Sequence, residues 1–319
     1  MFNTILTGCS QGLIWAILAL GVYISFRLLD FADLSCEGCI TCGAAVAATS
    51  ITLGSDPITA IILAFLSGTI AGMLTGFLHT KLKIPPILAG ILTMIGLWSV
   101  NIVIMSIAKS DANLSTANLS LLTVKDNLLY NAVANLLHIP AEYKIYSSLA
   151  IGLLIAAVVV GVLYWFFGTE LGSSIRATGA NPAMCRAQGI NTDAMKIIGL
   201  ALSNGLIAMS GALLAQYQSY ADVSMGVGSI VIGLASIIIG ETVFMKAKGF
   251  LAKLIGIVVG SIIYRVVVAL VIYSGMPSTF LKLLTAVVVA LALSIPVIKD
   301  KISAIRLRRK CMKERADDE

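Results

Sequence analysis

The sequence predicts an all-α polytopic membrane protein. Two observations carry that class. Hydrophobic residues make up 58% of the 319 and charged ones only 12%, with mean hydropathy +0.97. The apolar residues also gather into long runs separated by short polar loops. A soluble domain carries roughly 25% charged residues, so this chain cannot cover a water-facing surface. The excess of basic residues is densest in "KDKISAIRLRRKCMKER" at the end of the chain. No stretch interleaves aromatic and basic residues as a nucleic-acid surface would, so the tail suits a cytoplasmic face and acidic headgroups.

A hydrocarbon core about 30 Å thick requires about 20 apolar residues per helix. That ruler finds nine spans, near 10–27, 34–53, 58–78, 86–107, 147–168, 196–217, 225–243, 250–272 and 279–297. The first lacks a basic n-region and an A-x-A cleavage site, so it reads as a retained span and not a removed signal peptide. Lys and Arg in short loops set the orientation. Arg27, Lys81, Lys83, Arg176, Arg186, Lys246, Lys248 and the tail all fall on one side, expected to be cytoplasmic, with the N-terminus outside. The long outer segment 108–146 balances Lys109, Lys125 and Lys144 with Asp111, Asp126 and Glu142. Its apolar pieces suit a short helix or lid that receives a partner, or a plain loop.

The chain reads as two copies of one unit offset by 192 residues: Pro85 and Thr93 recur as Pro277 and Thr285. The offset maps spans 1–4 onto spans 6–9 and leaves span 5 as connector. Five spans separate each pair, so the second copy is expected upside down, a 4+1+4 inverted repeat of the kind that surrounds a central substrate path in transporters. The parts are then 1–107 (first repeat), 108–146 (extracytoplasmic), 147–168 (connector), 169–195 (cytoplasmic loop), 196–298 (second repeat) and 299–319 (basic tail).

"LSCEGCITCG" spaces Cys36, Cys39 and Cys42 like the opening of an iron–sulfur run. Val46 stands where that run needs its fourth cysteine. The second copy places Gly228, Val231 and Leu234 at the thiol positions. What the two copies share is small residues, which let helices approach closely in lipid. The thiols are read as small apolar packing residues, and neither a metal nor a disulfide framework is expected.

The loop "GTELGSSIRATGANPAMCRAQGINTDAMKIIG" (168–199) is closely punctuated. Asn181 suits an N-cap, Pro182 the first helical position and Gly189 the position past the end, which predicts a short helix "PAMCRAQ". "NTD" offers a fresh cap for span 6, and "LGSSIRATG" reads as a preceding turn. Helices this short are unstable alone in water, so docking against another protein competes with an ordinary solvated connector.

The pattern G-x-x-x-R-A-x-G-x-N, followed by A and G-I, resembles the cytoplasmic loop of permease subunits of ATP-binding-cassette importers of the branched-chain amino acid and ribose type. Here it is carried by Gly172, Arg176, Ala177, Gly179, Asn181, Ala187, Gly189 and Ile190, with Cys185 where many relatives carry Ala. The resemblance is nearest to the aromatic or unassigned amino acid branch paired with lipoprotein-type binding proteins. It implies a bacterial plasma-membrane importer of a small polar solute, an amino acid ahead of a sugar or nucleoside. It also implies two permease subunits, an external binding protein and two cytosolic ATPases that grip the loop through these residues and Arg186. The chain has no G-x-x-x-x-G-K-[ST] phosphate loop, so ATP and Mg²⁺ would be used by the ATPase partners and this chain would be no enzyme.

Polar groups inside spans are candidates for the path. Arg265 pairs with a carboxylate or faces a wet cavity, or else snorkels outward. Asn101, Asn204 and Gln216 bind substrate or make interhelical hydrogen bonds. Glu37 and Glu241 are expected near solvated cytoplasmic ends, and His79 at the interface. An ion- or proton-coupled secondary transporter is the rival class. It would place carboxylates at the bilayer midplane, and none of the nine spans shows one there. No H-E-x-x-H, paired Asp or Ser–His set supports an intramembrane enzyme.

Overall fold

The computed structural model describes residues 1–108, 117–122, 128–131, 144–244 and 249–273, with isolated positions between 283 and 294. In chain order the helices are α1 (Phe2–Tyr23), α2 (Cys36–Thr52), α3 (Pro57–Thr80), α4 (Pro86–Ile107), α5 (Lys144–Gly168), α6 (Glu170–Ala180), α7 (Pro182–Ala187), α8 (Thr192–Gln218), α9 (Ser229–Val243) and α10 (Phe250–Tyr273). Among the described residues seven helices are long and apolar enough to cross a membrane, and α2 is a shorter apolar helix. Eight of the nine predicted spans therefore fall on helices. The ninth span apart from isolated positions, the second Pro–Thr pair, Lys246, Lys248 and the basic tail lie outside the described residues.

The first departure from a plain helical bundle comes at the end of α1. The chain runs on through a π-helical turn, Ile24–Leu28, and Asp30 then adopts φ 51°, a left-handed conformation that Asp tolerates better than most residues. Residues 29–35 turn back into the bundle without forming a helix, and Phe31, Asp33 and Ser35 are buried. Non-helical backbone at membrane depth survives only when protein surrounds it. Here the Asp33 carboxylate anchors the turn before α2: its Oδ1 accepts from the Ser35 amide at 2.9 Å and the Ser35 hydroxyl at 2.6 Å. The second span is thus discontinuous, an unwound stretch followed by the 17-residue α2.

Helix α8 is the axis of the fold, packed against α1, α2 and α3. The contacts are as close as backbones allow. A Cβ on Gly43 would enter the Ala208 carbonyl, one on Gly211 the Ile40 carbonyl, and one on Gly72 the Leu200 carbonyl. Lipid tails are as apolar as the helices, so burial alone does not hold spans together; close packing and hydrogen bonds do. Ser203 donates to the Gly21 carbonyl at 2.8 Å, and Ser210 to the Ile14 carbonyl at 2.9 Å. Numbers rise along α8 as they fall along α1, so the two helices run antiparallel. Helices α4 and α5 instead point large apolar side chains outward, among them Ile95 at 60%, Leu154 at 63% and Trp165 at 71% exposure.

The two ends of the bundle differ. One carries α6 and α7. At the other, a strand β1 (Asn118–Ser120) pairs antiparallel with β2 (Tyr220–Asp222), Leu119 opposite Ala221. Part of the segment expected to be a helix, lid or loop is therefore a short ladder. Leu119, Leu121 and Leu128 bury their side chains under it.

Candidate functional site

At the loop end, capping chemistry builds two helices where one was expected. Thr169 caps α6, accepting from the Gly172 amide at 3.3 Å. Asn181 closes α6 and opens α7, its side chain accepting from the Met184 amide at 3.1 Å. The predicted helix 182–188 is α7, and Gly189 follows it at φ 82°. Asn191 caps α8 by accepting from the Ala194 amide at 3.1 Å. The stretch read as a turn is the eleven-residue α6.

The residues singled out in this loop divide into inward and outward sets. A Cβ on Gly172 would meet the Phe166 carbonyl, and one on Gly179 the Leu28 carbonyl, so both glycines face the bundle. Arg176 is exposed and lays its guanidinium 5.3 Å above the Phe250 ring. Arg186 donates from Nε to the Thr192 hydroxyl at 2.8 Å and lies 3.7 Å from the Asp193 carboxylate. Ala177, Ala183, Met184 and Ala187 face outward, while Cys185 is buried. Arg27 and Glu241 join the π-helical turn after α1 to α9 at this same end through paired contacts of 3.0 and 3.2 Å, so Glu241 is a partner in an ion pair.

Deeper in the bundle lies a polar centre that the span-by-span reading missed. Asn204, near the middle of the 27-residue α8, donates to Asp33 Oδ2 at 2.8 Å and to the Ser35 hydroxyl at 3.2 Å. At 1.5 Å per residue, Asn204 is roughly 20 Å from either end of its helix. The chain therefore does hold a buried carboxylate at mid-depth. It escaped notice because 29–35 looks like a solvated turn between two apolar runs. The signal available in sequence was "DLS" directly before a helix start, where an Asp side chain can accept from the backbone two residues on.

Glu37 is corrected as well. It lies in the first turn of α2, inside the bundle, because the unwound stretch has already carried the chain back from the loop end. Its Oε1 accepts from the Gly228 amide at 2.9 Å, at the start of α9. Beside it a cavity of about 250 Å³ opens between α2, α4 and the turn before α9. Asn101 lines this cavity and gives its Nδ2 to the Gly38 carbonyl at 3.2 Å. Gln216 instead braces the ladder end, accepting from the Leu129 amide at 3.1 Å. Arg265 stacks 4.0 Å over Trp15, and its Nε has no hydrogen-bond partner among the described residues. His79 shares a 3.2 Å contact with Lys196 and meets Phe31 edge-on at 5.0 Å.

A bundle of helices long and apolar enough to cross a membrane, with a broken span and a polar centre at mid-depth, is the architecture of many polytopic transport proteins. The chain belongs to the family described as branched-chain amino acid transport system / permease component, which it matches over residues 4–293. This is a family of permeases of ABC transporters, not of enzymes. The tyrosine transport system permease protein of Clostridioides difficile is 40% identical over 285 residues, covering 89% of this chain and 88% of that one. An uncharacterized protein of Rickettsia prowazekii is 32% identical over 92% of this chain and 97% of its own length. The ribose import permease protein RbsC of Escherichia coli is 25% identical over 91% of this chain and 84% of its own. No solved structure matches.

Proposed function

We propose that this chain is the membrane subunit of an ATP-driven importer and that the outward face of α6 and α7 is where a cytosolic ATPase sits. The observation that carries the reading is the α6–α7 pair. Two short capped helices, seated on the end of the first span through Gly179, present a smooth face of Ala177, Ala183, Met184 and Ala187. Helices of this length need docking to be stable. Arg27, Lys81, Lys83, Arg176 and Arg186 gather at that end, which supports its being cytoplasmic. ATP and Mg²⁺ act in the partner ATPases, an external binding protein delivers the solute, and a second copy of the chain completes the path.

The inverted repeat is supported by the packing. Helix α3 lies along α8, and α10 lies along α1, so each half lends its third span to the first span of the other. Helix α2 starts at Cys36 and α9 at Ser229, α3 at Pro57 and α10 at Phe250; both pairs are 193 residues apart. The cargo is an amino acid, with aromatic side chains ahead of branched ones. The tyrosine permease of C. difficile favours this over a sugar, since the ribose permeases are more distant. Ion coupling is set aside on family membership, because Asp33 removes the argument from missing carboxylates.

The test is reconstitution with a cognate ATPase and binding protein. Ala183→Glu and Met184→Glu alter only the outward face. They are expected to reduce binding-protein-stimulated ATP hydrolysis to its basal rate while membrane insertion is unchanged. Full stimulation in both variants would overturn the assignment of this face.

A further inference from the structure

The cavity beside Glu37 has a one-sided polar chemistry. Glu37 Oε1 is held by the Gly228 amide at 2.9 Å, which leaves Oε2 without a protein partner among the described residues. Asn101 is 1% exposed and has committed its Nδ2 to Gly38; its Oδ1 has no partner. Thr41 donates its hydroxyl proton to the Glu37 carbonyl at 3.1 Å, so toward the cavity its oxygen too can only accept. Three acceptors and one negative charge therefore converge, with no donor left among them. A buried acceptor without a donor costs free energy that a ligand can recover.

The remaining wall is mostly apolar, with Met94 and Trp98 of α4 and Val227 before α9, and Ser99 adds one hydroxyl. At about 250 Å³ the space suits a ligand smaller than the drug-sized molecules that fill pockets of roughly 300–1,000 Å³. Its depth also fits a substrate site. The broken second span and the start of α9 meet here, and in transporters of inverted design such junctions near mid-depth hold the substrate. In those sites a helix N-terminus commonly faces an anionic group of the solute. Here a carboxylate already stands beside each helix start: Asp33 accepts from the Ser35 amide before α2, and Glu37 from the Gly228 amide before α9. The free acceptors, Asn101 Oδ1 and Glu37 Oε2, are best met by a cationic donor.

We infer that this cavity binds the ammonium group and apolar side chain of an amino acid in transit, with Glu37 and Asn101 on the ammonium and Trp98 against the side chain. The inference rests on the cargo proposed above and names the groups that contact it. It requires the amine more than the carboxylate of the solute.

The test uses the full chain in lipid nanodiscs and two probes that share a phenylethyl group and differ in charge, phenylethylamine and 3-phenylpropanoate, with L-phenylalanine for comparison. Binding is read from the fluorescence of Trp98 as the difference between the unmodified chain and Trp98→Phe. The two amines are expected to bind and the carboxylate not. Glu37→Gln keeps an acceptor for Gly228 and should weaken the amines about tenfold or more, as expected for losing a hydrogen bond to a charged group. Helical circular dichroism should be unchanged. Equal binding of the two probes, or none of either, overturns the site, as does an unaltered affinity in Glu37→Gln. Tyrosine uptake by cells carrying the whole transporter is measured alongside. Uptake without amine binding here overturns this site alone. Amine binding here without amino acid uptake overturns the cargo and leaves the cavity an amine site.

Discussion

The Cα of Gly179 lies so close to the carbonyl of Leu28 that a Cβ there would overlap it. This joins α6 to the π-helical turn that ends the first span. The chain continues from that turn through Leu29, against Gly199, and Phe31, against His79, to Asp33 at the polar centre. A displacement of α6 at the loop end therefore has a short covalent route to mid-depth. The start of that route is tied to the π-helical turn, the Leu29 amide donating to the Ile24 carbonyl at 3.0 Å and the Phe31 amide to the Ser25 carbonyl at 2.9 Å, so the stretch moves with the turn.

Gly179→Val is expected to act differently from the outward-face variants. The added side chain pushes α6 off Leu28, and overpacking of this kind costs about 1–3 kcal/mol. Thermal unfolding in detergent should occur at lower temperature, and ATP hydrolysis should lose its link to uptake. Met184→Glu should leave the unfolding temperature alone, since Met184 is 57% exposed. Equal unfolding temperatures for Gly179→Val and the unmodified chain would show that the approach is not needed.

Legibility in the sequence followed the range of the forces involved. The caps at Asn181, Pro182 and Gly189 were readable because a cap is settled within four residues. The spans were readable because lipid demands apolar composition residue by residue. The break at 29–35 was not, since it is stabilised by Asn204, 171 positions from Asp33. Seven residues with two aspartates look like a water-exposed turn until that partner is in place. The same limit hid the ladder, where Asn118 finds Asp222 across the whole of α5 to α8. Small residues were correctly taken as packing positions in α2, yet only the packed bundle distinguishes Gly43, pressed on Ala208, from Gly96, which has nothing nearby.

That contrast yields a matched pair. Gly43→Ala and Gly211→Ala should each destabilise the chain, because the methyl group is aimed at a backbone carbonyl that cannot step aside. Gly96→Ala and Gly161→Ala add the same methyl group to open space and should be neutral or stabilising by up to about 1 kcal/mol through helix propensity. Unfolding followed by tryptophan fluorescence measures all four. If the two pairs behave alike, close approach of α2 and α8 does not hold the bundle together.

Arg265 and Trp15 pair α10 with α1 at 4.0 Å. A desolvated cation over an aromatic face is worth about 2 kcal/mol. Trp15→Leu should therefore lower stability by more than the loss of apolar area alone. Trp165, 71% exposed on α5, provides the control, because Trp165→Leu removes an outward side chain. Comparable unfolding of the two variants would mean the stacking contributes nothing.

The polar centre makes the sharpest demand on chemistry. Asp33 and Asn204 are both fully buried and joined at 2.8 Å. Asn204→Leu strands one carboxylate oxygen, and breaking a buried charged contact costs about 3–5 kcal/mol. Asn204→Asp keeps the shape but sets two carboxylates against each other, which cannot both stay ionised at that distance. One must take up a proton, and the shared proton restores the hydrogen bond. Folding is then linked to proton binding, so stability should fall as pH rises through the range where that proton is lost. Melting curves of Asn204→Asp from pH 5 to 9 should fall with pH more steeply than those of the unmodified chain. Parallel curves would mean that water reaches both carboxylates and that the centre is not the dry, protein-enclosed junction that lets the second span break there.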